Sequence, residues 1–324
     1  NDEWGNRFVE ALAQAVRRGV QVKVLIDGVG QYYSWPSIAR KLTVKGIEYA
    51  LFLHSVLPWR MAYLNLRNHR KLLIVDGELA FTGGINLRDK HVGVPPKARD
   101  LHFKIKGPVV SQMMRIFAED WQSTTQEILS GTIWFPPPKM AGKALARGIA
   151  DGPDENYDQL KWALMAALGE AQSNVIILTP YFLPDQGLQD ALKHAALRGV
   201  QVDILLPEKN NWPFMNWASH VLLPDLMKAG CRVWWSAPPF DQSKVMLVDD
   251  AWVLLGSGNW DPRSLRLNFE FNVEVYDGRL AKKLKHYVLE LMKQAKPLSL
   301  DTLLNRSLWR KLRDGLVHLA SPYL

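Results

Sequence analysis

The sequence contains a single cysteine, Cys231, among its 324 residues. One thiol cannot form a disulfide within the chain, and a zinc site built from several cysteine ligands is equally excluded. Long apolar runs are missing as well, and no segment reaches the roughly 18 residues that predict a transmembrane helix. No cluster of carboxylates has the spacing of metal ligands, so the sequence predicts chemistry without a metal ion or other cofactor.

The sequence has fewer acidic than basic residues, with 32 Asp and Glu and 40 Lys and Arg. The resulting net charge of +8 favours anionic partners, namely phospholipid headgroups, nucleic acid or phosphorylated substrates. Thirteen tryptophans suit a large core, a membrane interface or both.

The chain repeats itself. The sequence RGVQV at residues 18–22 recurs at residues 198–202, each time after a helix-like stretch and before an apolar, β-branched strand. A second pair of similar segments follows in the same order, at residues 68–86 and 241–259. Two shared motifs in one order predict two homologous α/β halves with helices packed on their sheets.

The second pair of segments, NHRKLLIVDGELAFTGGIN and DQSKVMLVDDAWVLLGSGN, shares a lysine, an aspartate, a Gly-Gly or Gly-Ser pair and an asparagine at equal spacing. The shared side chains are Lys71, Asp76 and Asn86 in the first copy and Lys244, Asp249 and Asn259 in the second. The copies differ two residues before the lysine, where the first has His69 and the second has Gln242.

Alternate residues of a strand face the same side, so His69 and Lys71 are expected to point the same way. If the halves pair face to face, two lysines, two asparagines and one imidazole converge. Lysines neutralise phosphoryl oxygens, asparagine amides donate hydrogen bonds to them, and a neutral imidazole can attack phosphorus. The segments therefore predict a site for a phosphoryl group.

The duplicated motif resembles that of the phospholipase D superfamily. Residues 256–275 (GSGNWDPRSLRLNFEFNVEV), residues 99–110 and the C-terminal tail are similar to the bacterial cardiolipin synthase branch. The resemblance implies an α/β fold of two homologous phospholipase D-like α/β/α sandwich halves packed about a pseudo-twofold axis, with a C-terminal amphipathic helix.

The resemblance also implies roles for the site residues. One histidine of such a site forms a phosphohistidine and the other exchanges protons with the alcohols. His69 is then the nucleophile, although which motif supplies it stays open, and Gln242 occupies the acid–base position. A glutamine amide cannot exchange protons near neutral pH. Asp100 and Glu270 would support the histidines, whereas Asp76 and Asp249 are expected to stabilise turns.

The residues around Gln242 are intact. This favours a substitution introduced into a working site over natural decay of the second half, and both explanations remain open. An enzyme with Gln242 at this position is expected to be disabled.

The domain boundaries follow from the repeat. We expect a first half at residues 1–140, a second half at 141–297 and the C-terminal amphipathic helix within 298–324. The helix-like residues 156–172 and the strand-like residues 175–183 have no counterpart in the first half. The first half is therefore expected to be incomplete at its N-terminus.

The tail predicts a helix with one leucine stripe over residues 302–320. The stripe consists of Leu304, Leu308, Leu312, Leu316 and Leu319, and basic residues lie beside it. Such a helix can lie in a membrane interface or pack its leucines on the protein. The aromatic segments 56–64 and 211–217 could line the mouth of a lipid site or belong to the core.

The resulting functional hypothesis is a cardiolipin synthase-type phosphatidyltransferase, which moves a phosphatidyl group from phosphatidylglycerol to a second phospholipid. The alternatives are a phospholipase D-like phosphodiesterase or nuclease, and a lapsed lipid-binding protein. We expect an anionic membrane surface as partner, no nucleic acid, and a peripheral location on the cytoplasmic face of the bacterial inner membrane. The sequence leaves the second phospholipid and the oligomeric state open.

Overall fold

The structure is a computed structural model that describes residues 1–33, 35–53, 66–87 and 98–320. The first half contains α1 (Glu3–Arg17), β1 (Lys23–Asp27), a 3-10 turn (Gly30–Tyr33), α2 (Ile38–Val44), β2 (Glu48–Phe52), β3 (Arg67–Asn68), β4 (Leu72–Val75), β5 (Leu79–Gly83), β6 (Ala98–Arg99), β7 (His102–Lys106) and α3 (Val109–Thr125). The second half contains β8 (Leu145–Asp151), α4 (Gln159–Glu170), β9 (Asn174–Leu178), α5 (Gln186–Leu197), β10 (Gln201–Pro207), α6 (Pro213–Lys228), β11 (Arg232–Ser236), β12 (Phe240–Asp241), β13 (Val245–Val248), β14 (Trp252–Gly256), α7 (Pro262–Arg266), β15 (Asn268–Tyr276), α8 (Gly278–Lys293) and β16 (Lys296–Pro297). The tail forms α9 (Leu300–Leu304) and α10 (Leu308–Leu319).

The second half is built on one mixed sheet with helices on both faces. Strands β11, β10 and β9 are parallel, and β13, β14, β15 and β8 continue the sheet in antiparallel fashion. Val175 and Ile177 of β9 join one core with α4, α5 and α6, whereas Ile176 and Leu178 join another core with α3 and α8. The alternation of apolar residues along a doubly covered strand produces this α/β/α sandwich.

The first half has counterparts of these strands in the same chain order, but they form two separate sheets. Strands β1 and β2 are parallel, as are their counterparts β10 and β11. Strands β4, β5 and β7 form an antiparallel sheet that corresponds to β13, β14 and β15. Within the described residues no strand joins β1 to β4 in the way that β9 joins β10 to β13. The predicted domain boundaries and the incomplete first half stay predictions.

The two halves are connected by two short parallel strand pairs. β3 of the first half pairs with β15 of the second, and β12 of the second pairs with β6 of the first. In each pair, one strand leads into the motif position and the other leads into the supporting carboxylate. This reciprocal arrangement is the pseudo-twofold relation, and it confirms the predicted architecture.

The tail differs from the single helix expected over residues 302–320. The structure has two helices, α9 and α10, with Asn305 after the first and Ser307 as the N-cap of the second. Ser307 has extended backbone angles, and serine is favoured at helix starts over helix interiors because its hydroxyl can hydrogen-bond nearby backbone groups. The amphipathic character of the tail is retained in α10.

Candidate active site

His69 and Glu270 meet across the boundary between the halves. Nδ1 of His69 lies 2.8 Å from Oε1 of Glu270, and the backbone N–H of His69 donates to the carbonyl of Phe269 at 2.9 Å. Strands β3 and β15 pair in register up to the residue before each side chain, so the backbone itself brings the two groups together. The side chain of His69 is 24% exposed, whereas that of Glu270 is fully buried.

The Glu270 carboxylate is held by three further polar side chains. The hydroxyls of Ser257 and Ser264 donate to it at 2.5 and 2.9 Å, and the Asn268 amide donates at 3.3 Å. Burial alone would raise the pKa of Glu270, but the His69 ring, Lys71 and the Ser257 hydroxyl outweigh burial and lower it. Glu270 is therefore an ionised acceptor with a fixed orientation.

The surroundings of the His69 imidazole favour its neutral form. Burial lowers its pKa, and although Glu270 opposes this effect, the cations Lys71 and Lys244 add to it. An ionised carboxylate can only accept, so Nδ1 carries the proton that is donated to Glu270. The lone pair of Nε2 is then free to act as a nucleophile.

Arg70 fixes the backbone on both sides of this contact. Its guanidinium pairs with Asp120 on α3 and donates from Nε to the carbonyl of Glu270 at 3.1 Å. Asp120 also accepts from the Asn68 amide at 3.0 Å. The residues before and after His69 are thus anchored to the same carboxylate, which restricts movement of the imidazole.

Gln242 occupies the position related to His69. Its backbone N–H donates to the carbonyl of Arg99 at 2.8 Å, as the N–H of His69 does to Phe269. Strands β12 and β6 pair in register up to Asp241 and Arg99, so Gln242 and Asp100 follow as His69 and Glu270 do. Gln242 is buried, and among the described residues its Oε1 has no hydrogen-bond partner.

Asp100 lacks the support that Glu270 receives. No described side chain donates a hydrogen bond to either of its oxygens, and burial raises its pKa to about 6. Gly84 stands where Ser257 stands in the second half, and a Cβ at Gly84 would lie only 2.7 Å from Oδ1 of Asp100. The carboxylate therefore occupies space that a serine would need, and the hydroxyl donor of the other half is missing.

A half-buried lysine, Lys71, and a buried lysine, Lys244, complete the site. Nζ of Lys71 donates to the carbonyl of His69 at 2.8 Å, and Nζ of Lys244 donates to the carbonyl of Gln242. Burial lowers the pKa of Lys71 to about 7, with the Lys244 ammonium adding to the shift, and burial also lowers the pKa of Lys244; both ammonium groups act on His69. Both motifs thus converge on one site, whose cations an anionic ligand would stabilise.

The asparagines follow the strands that carry the motifs. Asn86 is half-buried after β5, and Asn259 is buried after β14 with an unpaired Oδ1 among the described residues. Within the same part of the chain, no three His, Cys, Asp or Glu side chains gather in a way that could hold a metal ion.

The contacts of Asp249 stabilise the fold and are made to backbone groups. Its carboxylate accepts from the backbone N–H groups of residues 172, 173 and 174, at 2.7 to 2.9 Å, where β9 begins. Asp76 lies in the corresponding turn but is exposed. Both aspartates have positive φ, at 51° for Asp249 and 54° for Asp76, a conformation that aspartate tolerates better than most residues.

The predicted aromatic segments have different outcomes. Residues 56–64 lie outside the described residues. In the segment 211–217, Asn211 accepts a hydrogen bond from the Tyr181 hydroxyl at 2.8 Å, and Trp212 is half exposed beside Phe214. The Tyr181 ring lies 6.4 Å from that of Phe240, two residues before Gln242. This segment is therefore linked to the site.

Several supporting residues were missed by reading the sequence. Ser257 was noted only as part of a glycine-containing turn, and Ser264, Asn268, Arg70 and Asp120 carried no motif. A signal was nevertheless present, because the Gly-Gly of the first copy is Gly-Ser in the second. Within the shared motif pattern, this is a second position, besides that of His69 and Gln242, at which the copies differ.

Comparison with known proteins agrees with the fold and its duplication. A family model described as "Cardiolipin synthase, PLD-like domain" matches residues 5–121 and 164–292, so the chain belongs to this family. This finding confirms the resemblance seen in the sequence.

Named relatives cover the whole chain. A cardiolipin synthase of Staphylococcus aureus (strain Mu50 / ATCC 700699) is 35% identical over 329 aligned residues, which cover 100% of this chain and 67% of the relative. The major cardiolipin synthase ClsA of Bacillus subtilis (strain 168) is 34% identical, with 100% and 68% covered. The chain thus spans about two thirds of the length of these relatives.

Among solved structures, the chain resembles the phosphatidylserine synthase of Haemophilus influenzae Rd KW20. The TM-score is 0.75 at 16% identity, and the alignment covers 100% of this chain and 88% of that one. At this identity the likeness supports the fold alone.

Proposed function

We propose that the chain is a phosphatidyltransferase of the cardiolipin synthase type whose second-motif residue, Gln242, blocks turnover. The observation that carries the proposal is the His69–Glu270 contact beside the half-buried Lys71 and the buried Lys244. It supplies a neutral, oriented imidazole next to positive charge that can neutralise a phosphodiester. The relatives named as cardiolipin synthases support a phospholipid as the substrate.

In the first step, Nε2 of His69 attacks the phosphorus of phosphatidylglycerol, and the bond from phosphorus to the glycerol oxygen breaks. Lys71 and Lys244 neutralise the phosphoryl oxygens, with Asn86 and Asn259 as further contacts. Departing glycerol needs a proton, and the amide of Gln242 cannot supply one.

In the second step, the headgroup hydroxyl of another phospholipid attacks the phosphatidyl-histidine. The nitrogen–phosphorus bond breaks and cardiolipin forms. The hydroxyl proton must pass to a base, and Gln242 cannot accept it. Asp100 would orient a histidine at this position, as Glu270 orients His69, so the unpaired state of Asp100 supports the interpretation that position 242 suits a histidine.

The proposed setting is the surface of an anionic membrane, on the cytoplasmic face of the bacterial inner membrane, because both substrates are lipids. Among the described residues, no helix has the length and apolar composition needed to cross a bilayer.

The experiment restores the missing group. The Gln242→His variant and the unchanged chain are each incubated with labelled phosphatidylglycerol in vesicles, and the lipids are separated. The variant should form cardiolipin and glycerol about 10²–10⁴ times faster than the unchanged chain. Release of phosphatidic acid instead would indicate a phosphodiesterase. No turnover by a folded variant would favour a lipid-binding protein.

A further inference from the structure

Helix α10 is amphipathic, but its polar face is turned towards the protein and its apolar face towards the solvent. Its buried residue is Asp314, whereas its leucine stripe and Trp309 point away from the protein. Leu308 is 76% exposed, Trp309 is 83% exposed, and Leu312, Leu316 and Leu319 are also exposed. A helix on a soluble domain normally turns its apolar stripe towards the core. Of the two alternatives that the sequence left open, packing of the leucines on the protein does not hold for these residues.

The polar face fixes α10 to α6. Asp314 forms ion pairs with Arg306 at 2.5 Å and with Arg313 at 2.7 Å, and its Oδ2 lies 3.5 Å from Nδ1 of His220 on α6. The guanidinium of Arg313 lies 4.0 Å above the ring of Trp217, also on α6. A paired charge and a cation–π contact thus determine which face is inward. The outward leucines are held in place by this attachment.

Positive charge surrounds the exposed stripe. Arg310 and Lys311 are exposed, and neither forms an ion pair with a described carboxylate. Arg306, Ser307 and Arg310 also line a cavity of about 460 Å³ at the start of α10. A large exposed apolar patch marks an interaction surface, and basic residues beside leucines and tryptophan match anionic headgroups above acyl chains.

We infer that α10 lies in the plane of an anionic phospholipid membrane, with its leucine stripe among the acyl chains and Arg310 and Lys311 among the headgroups. A second copy of the chain fits this face less well. In a twofold interface built on α10, Arg310 and Lys311 of both copies would be brought into one patch, where their like charges repel. The inference rests on the proposed function, because the surface bound is taken to be the one that carries the substrate.

Attachment through α6 would also orient the site. α6 begins at Pro213, between Trp212 and Phe214, whose rings lie side by side. Asn211, the residue before Trp212, accepts a hydrogen bond from Tyr181, whose ring lies near that of Phe240. The same helix contacts α10 through Trp217 and His220 further along. A membrane-bound α10 therefore fixes α6, and with it the aromatic side of the site, relative to the lipid.

The test is co-sedimentation of the full chain with vesicles of phosphatidylglycerol and phosphatidylcholine, or of phosphatidylcholine alone. The stripe variant combines Leu308→Ser, Leu312→Ser and Leu316→Ser. Its matched control combines Met140→Ser, Leu145→Ser and Leu197→Ser, which are exposed apolar residues elsewhere. The stripe variant should need at least about tenfold more anionic lipid for half-maximal binding, and the control should bind as the unchanged chain does.

A charge variant, Arg310→Glu with Lys311→Glu, should lose affinity for the anionic vesicles and part of its salt dependence. Unaltered binding by the stripe variant would overturn the inference. It would also be overturned if light scattering showed a dimer that the stripe variant converts to a monomer, because a second copy would then cover the stripe.

Activity separates this inference from the proposed function. In the Gln242→His background, the stripe variant should retain transfer on dispersed short-chain phosphatidylglycerol and lose it on vesicles. Loss on both substrates would mean that the stripe holds the fold, which contradicts the inference. If Gln242→His never transfers, yet vesicle binding still depends on the stripe, the proposed function fails and the inference stands.

Discussion

Glu270 of the second half holds the imidazole of His69 in the first half, with 2.8 Å between Oε1 and Nδ1. Replacing this acceptor by an amide, in Glu270→Gln, removes the charge that fixes the ring tautomer. Formation of phosphohistidine from an activated phosphodiester should slow by about 100-fold or more. The measurement is a rapid-quench time course of label on the protein.

Glu274→Gln is the matched control. Glu274 is a buried carboxylate on the same strand, and it contacts Arg147 and Trp252 instead of His69. The control should label at the rate of the unchanged chain. Equal rates for Glu270→Gln and the control would mean that the contact with His69 has no role in catalysis.

Lys71 should take up a proton when an anionic substrate binds. Burial lowers its pKa to about 7 in the free protein, and a bound phosphodiester anion would raise it again. Affinity should therefore fall as pH rises above 7, by up to about tenfold per pH unit. Calorimetry with short-chain phosphatidylglycerol in buffers of different ionisation enthalpy measures the uptake.

Lys71→Met should reduce this uptake to the part that Lys244 contributes, and Lys104→Met should leave it unchanged. Lys104 is an exposed lysine on the neighbouring strand β7. Binding without proton exchange at pH 8 in the unchanged chain would contradict the account of Lys71.

Asp100 should make the chain less stable as pH rises. Burial raises its pKa from the ordinary 3.8 to about 6, so between these values the folded state retains a proton that the unfolded state has released. The contribution of this group to the free energy of unfolding is therefore highest below about pH 4 and is lost as pH rises through 6, about 3 kcal/mol in all. Urea denaturation at pH 4.5 and 7.5 measures the difference.

Asp100→Asn should remove that part of the pH dependence, and Asp225→Asn, at an exposed position, should not. A histidine restored at position 242 should also reduce it by donating to Asp100. Identical pH dependence in the unchanged chain and Asp100→Asn would show that the carboxylate is not isolated.

Asp249 should matter for folding and not for chemistry. Asp249→Ala removes an acceptor from three backbone N–H groups at the start of β9, which should cost about 1–3 kcal/mol. Asp76 has nearly the same φ as Asp249, but its side chain is exposed. Asp76→Ala should therefore lose less stability, and the difference between the two variants measures the contribution of the hydrogen bonds of Asp249. Transfer lost from folded Asp249→Ala, in the Gln242→His background, would give this residue a catalytic role.

The sequence predicted the features that repeat, whereas the supporting roles of Glu270 and Asp100 came only from the family resemblance and not from a local pattern. Equal spacing revealed the two halves, both lysines and the odd position of Gln242, because local periodicity records strands and turns. The contact between His69 and Glu270 depends on the pairing of β3 with β15, two strands far apart in sequence, and no local pattern encodes it. The outward stripe of α10 was equally hidden, because periodicity defines a face without saying which side is inward.

The most direct test of the central claim separates the two steps at position 242. A p-nitrophenyl phosphodiester has a leaving group that needs little protonation, so the unchanged chain should attack it from His69 and then stall, because no base activates the acceptor. After quenching, the account predicts an acid-labile label on His69 and a burst of about one p-nitrophenol per chain. If the unchanged chain gives no label, and Gln242→His carries the label on the new histidine instead, His69 is the acid–base residue and the assignment of the nucleophile is wrong.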